Sequence, residues 1–443
     1  MTHLMPARQP ESARDSARHW LTTSLARGAS IITMQAPVAA DVASAWPAAG
    51  DAILWDPPEG PALAGIGVSA QQSLDGAARF RQVDLDVLRK SEARQPGVTA
   101  PSPRLFGGFS FACGGASASP WNAFGDGRFV LPRWVYGVTG GSAFLRVHVD
   151  ASSRDLESEF DALWTRLVRP EPLAAPEIAK VEAPPLQPWR DEIEAIRQGI
   201  EEGRLEKVVA ASAAHITLAT EGDPRRVLGR LRRRFPGCTR FAMRCGETTF
   251  LGATPERLLR REGPQVTTEA LAGSAAPGRG EELLASDKDR HEHALVVQAI
   301  VAALSPHADQ VRAADAPALH RLPNVVHLRT PIEAEVGDVD TLALVEALHP
   351  TPAVGGVPTQ AALSFIEAHE RPRGWYAAPF GWLDADGDGS FVVGLRSGVL
   401  QGTRAWAFVG CGIVSASEPA AEHEEALLKL GAFLGALGDD RGE

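Results

Sequence analysis

The sequence is poor in cysteine. Cys113, Cys238, Cys245 and Cys411 are the only four in 443 residues, too few and too scattered for a disulfide framework or a paired CxxC zinc site, which points to a reducing compartment. Long apolar runs are also missing: none approaches the roughly 20 residues that a bilayer-spanning helix needs, and the first 30 residues hold no secretory apolar core. Arg8, Arg14, Arg18 and Arg27 give the start of the chain some transit-peptide character, but Glu11 and Asp15 do not suit one, so a cytoplasmic location is expected. Positive charge is not in excess. The formal net charge of −11 leaves no dominant basic surface to displace counterions from phosphates, so neither nucleic acid nor membrane is an expected partner. The one basic run, Arg225-Arg226 with Arg230 to Arg234, has Val227, Leu228 and Leu231 at helical spacing and reads as a solvated helix face.

What is present is apolar residue enough for a large core, 44%, and length for about two or three domains. Ala52 to Trp55 and Leu63 to Gly67 read as a hairpin about Pro57-Pro58-Glu59-Gly60, and Leu105 to Phe111, Phe129 to Tyr136 and Ala143 to Val149 continue an antiparallel pattern. Helices are expected at Ala17 to Ala26 and Asp155 to Leu167, the latter with Phe160, Leu163, Trp164 and Leu167 on one face. Gly65 to Ala70 matches the dinucleotide pattern G-x-G-x-x-A, but a hairpin is the wrong setting for it. The Pro-rich stretch from Pro170 to Pro188 is the best linker in the chain; composition does not say whether it separates domains or crosses between layers.

Beyond it the polar residues carry more information. Ile193, Ile196 and Ile200 recur at helical spacing up to Gly203, a helix-ending residue, and Val208-Val209-Ala210-Ala211 has the character of a strand covered on both faces. Lys207 stands where the two meet. Its amine either snorkels to water at the strand end or serves chemistry beside a carboxylate. Phe250 to Ala253 is a strand, and the turn Thr254-Pro255 sets Glu256 ahead of Arg257-Leu258-Leu259. Thr268 to Ser274 ends in a small-residue loop that can bring backbone NH groups to an anion. One long helix is expected from Glu281 to Leu304, with Asp289 and Glu292 about a turn apart. Another follows the strand Phe408 to Val414, capped by Ser417, with Glu422 and Glu425 similarly spaced, Lys429 beyond them, and Ala426, Leu427, Leu430, Phe433 and Leu434 as its apolar seam. Each acidic pair is either solvated or, if the two converge, part of an oxygen-rich site of the kind Mg²⁺ prefers. His291-Glu292-His293 has the wrong spacing for a zinc-binding HExxH. Asp384 to Gly389 opens like a calcium loop but has Leu395 where the final glutamate belongs, and reads as a hairpin turn.

In order and spacing, seven segments resemble the chorismate-utilising enzymes: Leu205 to Val209, Leu251 to Glu256, Leu271 to Ser274, Ser286 to His293, Val326 to Pro331, His349 to Ala353 and Gly410 to Val414. That family includes anthranilate synthase large subunits, aminodeoxychorismate synthase, salicylate synthase and isochorismate synthase. The likeness runs from Trp189 to Leu430, and Phe106 to Phe111 with Leu131 to Arg133 add a less specific one to menaquinone-type isochorismate synthases. The resemblance implies an α+β fold: two large, mainly antiparallel sheets with outer helices, in a single intertwined domain. Residues 1–180 would be its variable N-terminal part and 181–443 the chorismate-binding catalytic region, which makes Pro170 to Pro188 a crossover.

Relatives that add ammonia carry glutamine at the position of Lys207, whereas those that add water carry lysine; aminodeoxychorismate synthases hold a nucleophilic lysine where this chain has Ala272. The implied activity is a Mg²⁺-dependent isochorismate synthase that takes chorismate and needs no glutamine amidotransferase. Salicylate synthase and a non-catalytic chorismate-binding subunit are the alternatives, and menaquinone and siderophore supply are both open. By resemblance, Lys207 in an apolar setting is the base that activates water and Glu256, raised by burial, is the acid. Glu292 and Glu425 hold Mg²⁺ with Asp289 and Glu422 assisting. Arg396 grips the second carboxylate, Tyr376, Gly412 and Lys429 flank it, and His327, Ser274 and Gly273 line the pocket. The chain departs from its relatives at Ala270, where they have proline, and at Glu269 beside it.

Overall fold

Two thirteen-residue strands, Ala62–Leu74 and Gly127–Thr139, pair along their whole length and hold the architecture together. One half of Gly127–Thr139 pairs on its other edge with Ser142–His148, and the other half with Arg104–Phe109. The register shifts between Val68 and Ala70, the kind of bulge that bends a strand so that it can serve two sheets. From Ala62–Leu74 the first sheet runs through Ala52–Asp56, Thr239–Cys245, Thr248–Thr254, Ser397–Gln401 and Arg404–Ile413 to Lys207–Leu218. From Arg104–Phe109 the second runs through Pro379–Asp384, Gly389–Val393, Arg257–Glu262 and Gln265–Ala275 to Val325–Val336. The two expected sheets are thus continuous through the shared pair, in one network of 21 strands among the described residues. Only Ile31–Ala36 with Glu92–Arg94 pairs in parallel among the described residues. The computed structural model describes residues 10–438 apart from 82, 172, 174–176 and 323–324.

The core lies between the sheets. Phe241 of the first meets Phe380 of the second with ring centroids 5.1 Å apart, and Trp121, Phe124, Phe250 and Trp375 pack ring to ring around them. The hairpin at Pro57 to Gly60 forms as expected, and the dinucleotide-like Gly65 to Ala70 lies inside a strand, followed among the described residues by the single-turn 3-10 helix Arg79–Arg81 rather than by an α-helix. Asp155 caps the helix Leu156–Val168 by accepting from the Ser158 amide at 3.3 Å, and its expected apolar face is buried. The N-terminal helix starts earlier than its apolar spacing indicated, at Pro10. No helix among the described residues is long and apolar enough to cross a membrane.

Several local expectations need correction, each for a local reason. Part of Pro170 to Pro188 lies outside the described residues, but Ile178–Glu182 is a strand on the edge of Lys207–Leu218, and the helix Leu186–Glu201 already contains Pro188. A proline in a first helical turn sacrifices no hydrogen bond, so proline content there did not mean a linker. The long helix from Glu281 is two, Gly280–Ala285 and Asp287–Leu304, broken at an extended Ser286 whose hydroxyl accepts from the Asp289 amide at 3.3 Å. The loop expected at Gly273 is a bulge in the strand Gln265–Ala275, where Gly273 takes a φ of 72°. Ser417 does not cap the last helix, Pro419–Leu437; its hydroxyl accepts from the Val414 amide and Glu418 stands at the cap position. In that helix's seam Ala426, Leu430 and Phe433 are buried but Leu427 is exposed.

Candidate active site

Every residue nominated from the sequence as a site residue lines one cavity of about 640 Å³ between the two sheets' far ends and the helices Asp287–Leu304 and Pro419–Leu437. Lys207 opens the strand Lys207–Leu218 and is only 2% exposed, which excludes the snorkelling reading. Its setting is also not apolar: Nζ donates to Glu292 Oε1 at 2.7 Å. The pairing was invisible in sequence because Glu292 comes from a helix 85 residues away. Burial pushes the Glu292 carboxyl up, but Lys207 and the more distant Lys288 and Lys429 outweigh it, leaving the group below the usual carboxylate range.

Gly412 makes this pair possible. It sits across the ladder from Val209, and a Cβ there would lie 2.9 Å from Lys207 Cε and 3.3 Å from Glu292 Oε1. Gly412→Ala is therefore expected to displace the amine and lower kcat by about 10²-fold, the cost of roughly 1 Å of misplacement at reacting groups. Steady-state kinetics beside a melting curve checks it; an unchanged kcat would show the contact to be slack.

Glu256 follows the fully buried strand Thr248–Thr254, its amide donating to Thr254 Oγ1 and its carbonyl accepting from the Val393 amide. The side chain is 7% exposed. Burial above all, with Glu269 adding to it and Lys207 opposing it, pushes its pKa up to about 8, so it is a neutral acid at pH 7. Glu269, one of the two departures noted in the sequence, is itself buried and ion-paired with Arg329.

At the opposite charge extreme stands Arg396, half-buried, with a φ of 47°. Its Nη2 lies 3.3 Å from His327 Nε2, whose Nδ1 meets Ser274 Oγ at 3.0 Å. Burial, then Arg396 and Lys429, push His327 down to about 3, so the ring is neutral and able to accept. Arg396 Nη1 is buried with no hydrogen-bond partner among the described residues. A buried cationic donor left open is costly unless a ligand completes it, and an anionic oxygen is the natural complement. Tyr376 is buried and stacks on Phe408 with centroids 5.5 Å apart, and Lys429 donates to Gly410 O and pairs with Glu425 at 2.7 Å.

The two acidic pairs face the same cavity, although only Glu422 and Glu425 come close enough together to share one ion with a third donor among the described residues. Asp289 and Glu292 reach the cavity from one helix, Glu422 and Glu425 from the other. Carboxylate oxygens of Glu422 and Glu425 and the Cys411 thiol all fall within 4.8 Å of one another. Burial pushes that thiol up to about 12, and the two carboxylates beside it supply hard oxygen donors of the kind Mg²⁺ takes.

Arg373, Glu370 and Cys411 were not nominated from the sequence. Glu370 and Arg373 offer there only an ordinary acid–base pair three residues apart, and Cys411 only a small apolar residue in a Gly-rich strand.

A family model described as chorismate binding enzyme matches residues 26–438. The chain belongs to the chorismate-binding enzyme family. This chorismate-binding enzyme is 38% identical over 410 residues to a salicylate biosynthesis isochorismate synthase from Pseudomonas aeruginosa, covering 87% of this chain and 84% of that protein. It is 34% identical over 420 residues to the isochorismate synthase MenF of Bacillus subtilis, 88% and 89% of the respective chains. The solved structure of MenF, the menaquinone-specific isochorismate synthase from Escherichia coli, superposes with a TM-score of 0.78 at 29% identity over 97% of this chain and 100% of that one. Anthranilate synthase component I from Streptococcus pneumoniae, at 20% identity and a TM-score of 0.69, shares the fold.

Proposed function

We propose that this chorismate-binding enzyme is an isochorismate synthase, which adds water at ring carbon 2 of chorismate and releases the hydroxyl from ring carbon 4. The observation that carries this reading is one cavity holding both a buried lysine amine and a buried, neutral glutamic acid. The ammonium that donates to Glu292 cannot itself act as a base, so Lys207 first gives up a proton, and the neutral amine then takes one from the attacking water as the new C–O bond forms. The ring double bonds shift, the C4–O bond breaks, and Glu256 gives its proton to the departing hydroxyl. Atoms balance as an isomerisation, with no oxidant, reductant or ammonia donor, so no glutamine amidotransferase partner is required. Each proton transfer contributes about 10² to 10⁴-fold.

Arg396 holds the second carboxylate through its open Nη1, with the neutral His327 fixing the guanidinium from the other side. Ala272 leaves no lysine nucleophile beside the ring. Glu292, Glu425, Asp289 and Glu422 form the set that would hold Mg²⁺, whose chemistry is to neutralise the ring carboxylate in an otherwise acidic pocket. Glu292 serves both that set and Lys207, so occupancy of one affects the other.

Purified protein incubated with chorismate and Mg²⁺ is expected to yield isochorismate with no pyruvate. Accumulation of salicylate with pyruvate would assign it instead as a salicylate synthase, and no product at all would point to a non-catalytic chorismate-binding subunit. Chelating the metal with EDTA should take turnover to background, and restoring Mg²⁺ should return it; full activity after exhaustive chelation would remove the acidic set from the mechanism.

A further inference from the structure

A cluster that reaches the cavity wall through Arg373 is not used by this chemistry. The strand Lys207–Leu218 is paired along one edge with Arg404–Ile413. Its other edge has a gap: Gly356–Val357 covers Lys207 and Val208, and Ile178–Glu182 covers His215 to Leu218, with no strand between them among the described residues. Buried backbone groups must find partners. Here two side chains stand in for the missing strand. Arg373 donates from Nη2 to Val209 O at 2.6 Å and from Nη1 to Val354 O at 2.7 Å, while Glu370 Oε1 accepts from the Ala211 amide at 3.2 Å.

The two are locked to each other. Arg373 Nε donates to Glu370 Oε2 at 2.7 Å and Nη2 to Oε1 at 2.6 Å, and both side chains are 2% exposed. The guanidinium lies 4.4 Å over the Phe111 ring. Every arm of Arg373 is engaged, so, unlike Arg396, it has little left to offer a substrate. Glu192, from the helix Leu186–Glu201, lies next to Glu370 and keeps its Oε1 buried with no hydrogen-bond partner among the described residues. Burial first, and the Glu370 charge second, push Glu192 up to about 8, so at neutral pH it is the protonated donor that a carboxylate neighbour needs.

We infer that Glu370 and Arg373, backed by Glu192, are positioning residues that hold the Lys207 strand in register and so set the amine against Glu256 and the substrate. The inference rests on the role proposed for Lys207. Val209 is the next residue on the same face as Lys207, and both line the cavity. A shift of the Val209 carbonyl therefore moves the amine. Lysine at 373 would keep the charge but lose the planar fork that reaches two carbonyls and a carboxylate at once.

The experiment uses the full chain with chorismate and Mg²⁺. Arg373→Lys is expected to lower kcat by about 10 to 100-fold with KM within about two-fold, and to speed amide hydrogen exchange at Ala211. Glu370→Gln, which keeps the side-chain shape, should do the same more weakly, and it carries the test if R373K does not fold. E192Q, a neutral isostere, should recover what E192A loses. In a Lys207→Gln background R373K should add little further loss, because residues acting through one group are non-additive. Overturning results are a kcat within about two-fold of wild type in both R373K and E370Q, or a full additional loss on top of K207Q. If wild type itself makes no isochorismate, the role of Lys207 has failed, whereas the exchange rate at Ala211 still reads the contact.

Discussion

Lys207→Gln is expected to lower kcat for isochorismate formation by about 10² to 10⁴-fold, the range for removing a general base. The substitution is informative because it changes little else. A glutamine amide can still donate toward Glu292 Oε1, which Lys207 Nζ now reaches at 2.7 Å, so the carboxylate is not stranded. Breaking a buried ion pair outright costs about 3–5 kcal/mol, and a retained hydrogen bond makes the loss in melting temperature smaller than that implies. Glu292 also loses its cationic partner, so Mg²⁺ affinity should hold or tighten. Product formation, calorimetric Mg²⁺ titration and melting together check the prediction. A rate within tenfold of wild type would end the assignment of Lys207 as base.

The second large effect belongs to Glu256. Its carboxyl must be protonated to assist the leaving hydroxyl, and its pKa is pushed up to about 8 by burial and by Glu269. Turnover should therefore hold through neutral pH and fall as pH rises through about 8. Glu256→Gln removes the transferable proton, so kcat should fall by about 10² to 10⁴-fold and the alkaline decline due to Glu256 should vanish from the residual rate. Stability moves the other way. In the unfolded chain this carboxyl ionises near pH 4.3, while the folded chain keeps its proton up to about pH 8. Between those values the unfolded state has released a proton that the native state retains, so stability falls with rising pH across the window and levels off above it. E256Q has no such cost: it should melt higher than wild type at pH 8 and lose that advantage on acidification toward pH 4. Equal melting temperatures at both values would mean that the carboxyl is not held neutral.

Much of the site is legible in one dimension because its chemistry sits at element boundaries, where local signals are strongest. Gly203 ends a helix and leaves Lys207 at the head of a strand; Thr254-Pro255 makes a turn and leaves Glu256 at its exit. The acidic pairs declare themselves through helical spacing. The misreadings are also local. Ser286 carries no residue type that forbids a helix, yet it breaks one, because a capping hydroxyl competes with the helical backbone. Pro188 pointed to a linker because a proline that opens a helix and one that breaks it are the same letter.

By itself the sequence determined which groups are available: a lysine, a glutamic acid, two carboxylate pairs and an arginine, at spacings that survive folding. Only the tertiary structure decided what each group is. Lys207 is buried and bound to Glu292, Glu256 is neutral, Arg396 has an open donor whereas Arg373 has none, and Gly412 leaves just enough space for the amine. The physical reason is that periodicity reports only on neighbours within a turn or a pleat. Desolvation, ion pairing and unfilled hydrogen-bonding capacity belong to space enclosed by segments far apart in the chain, and that space does not exist until the two sheets close over it.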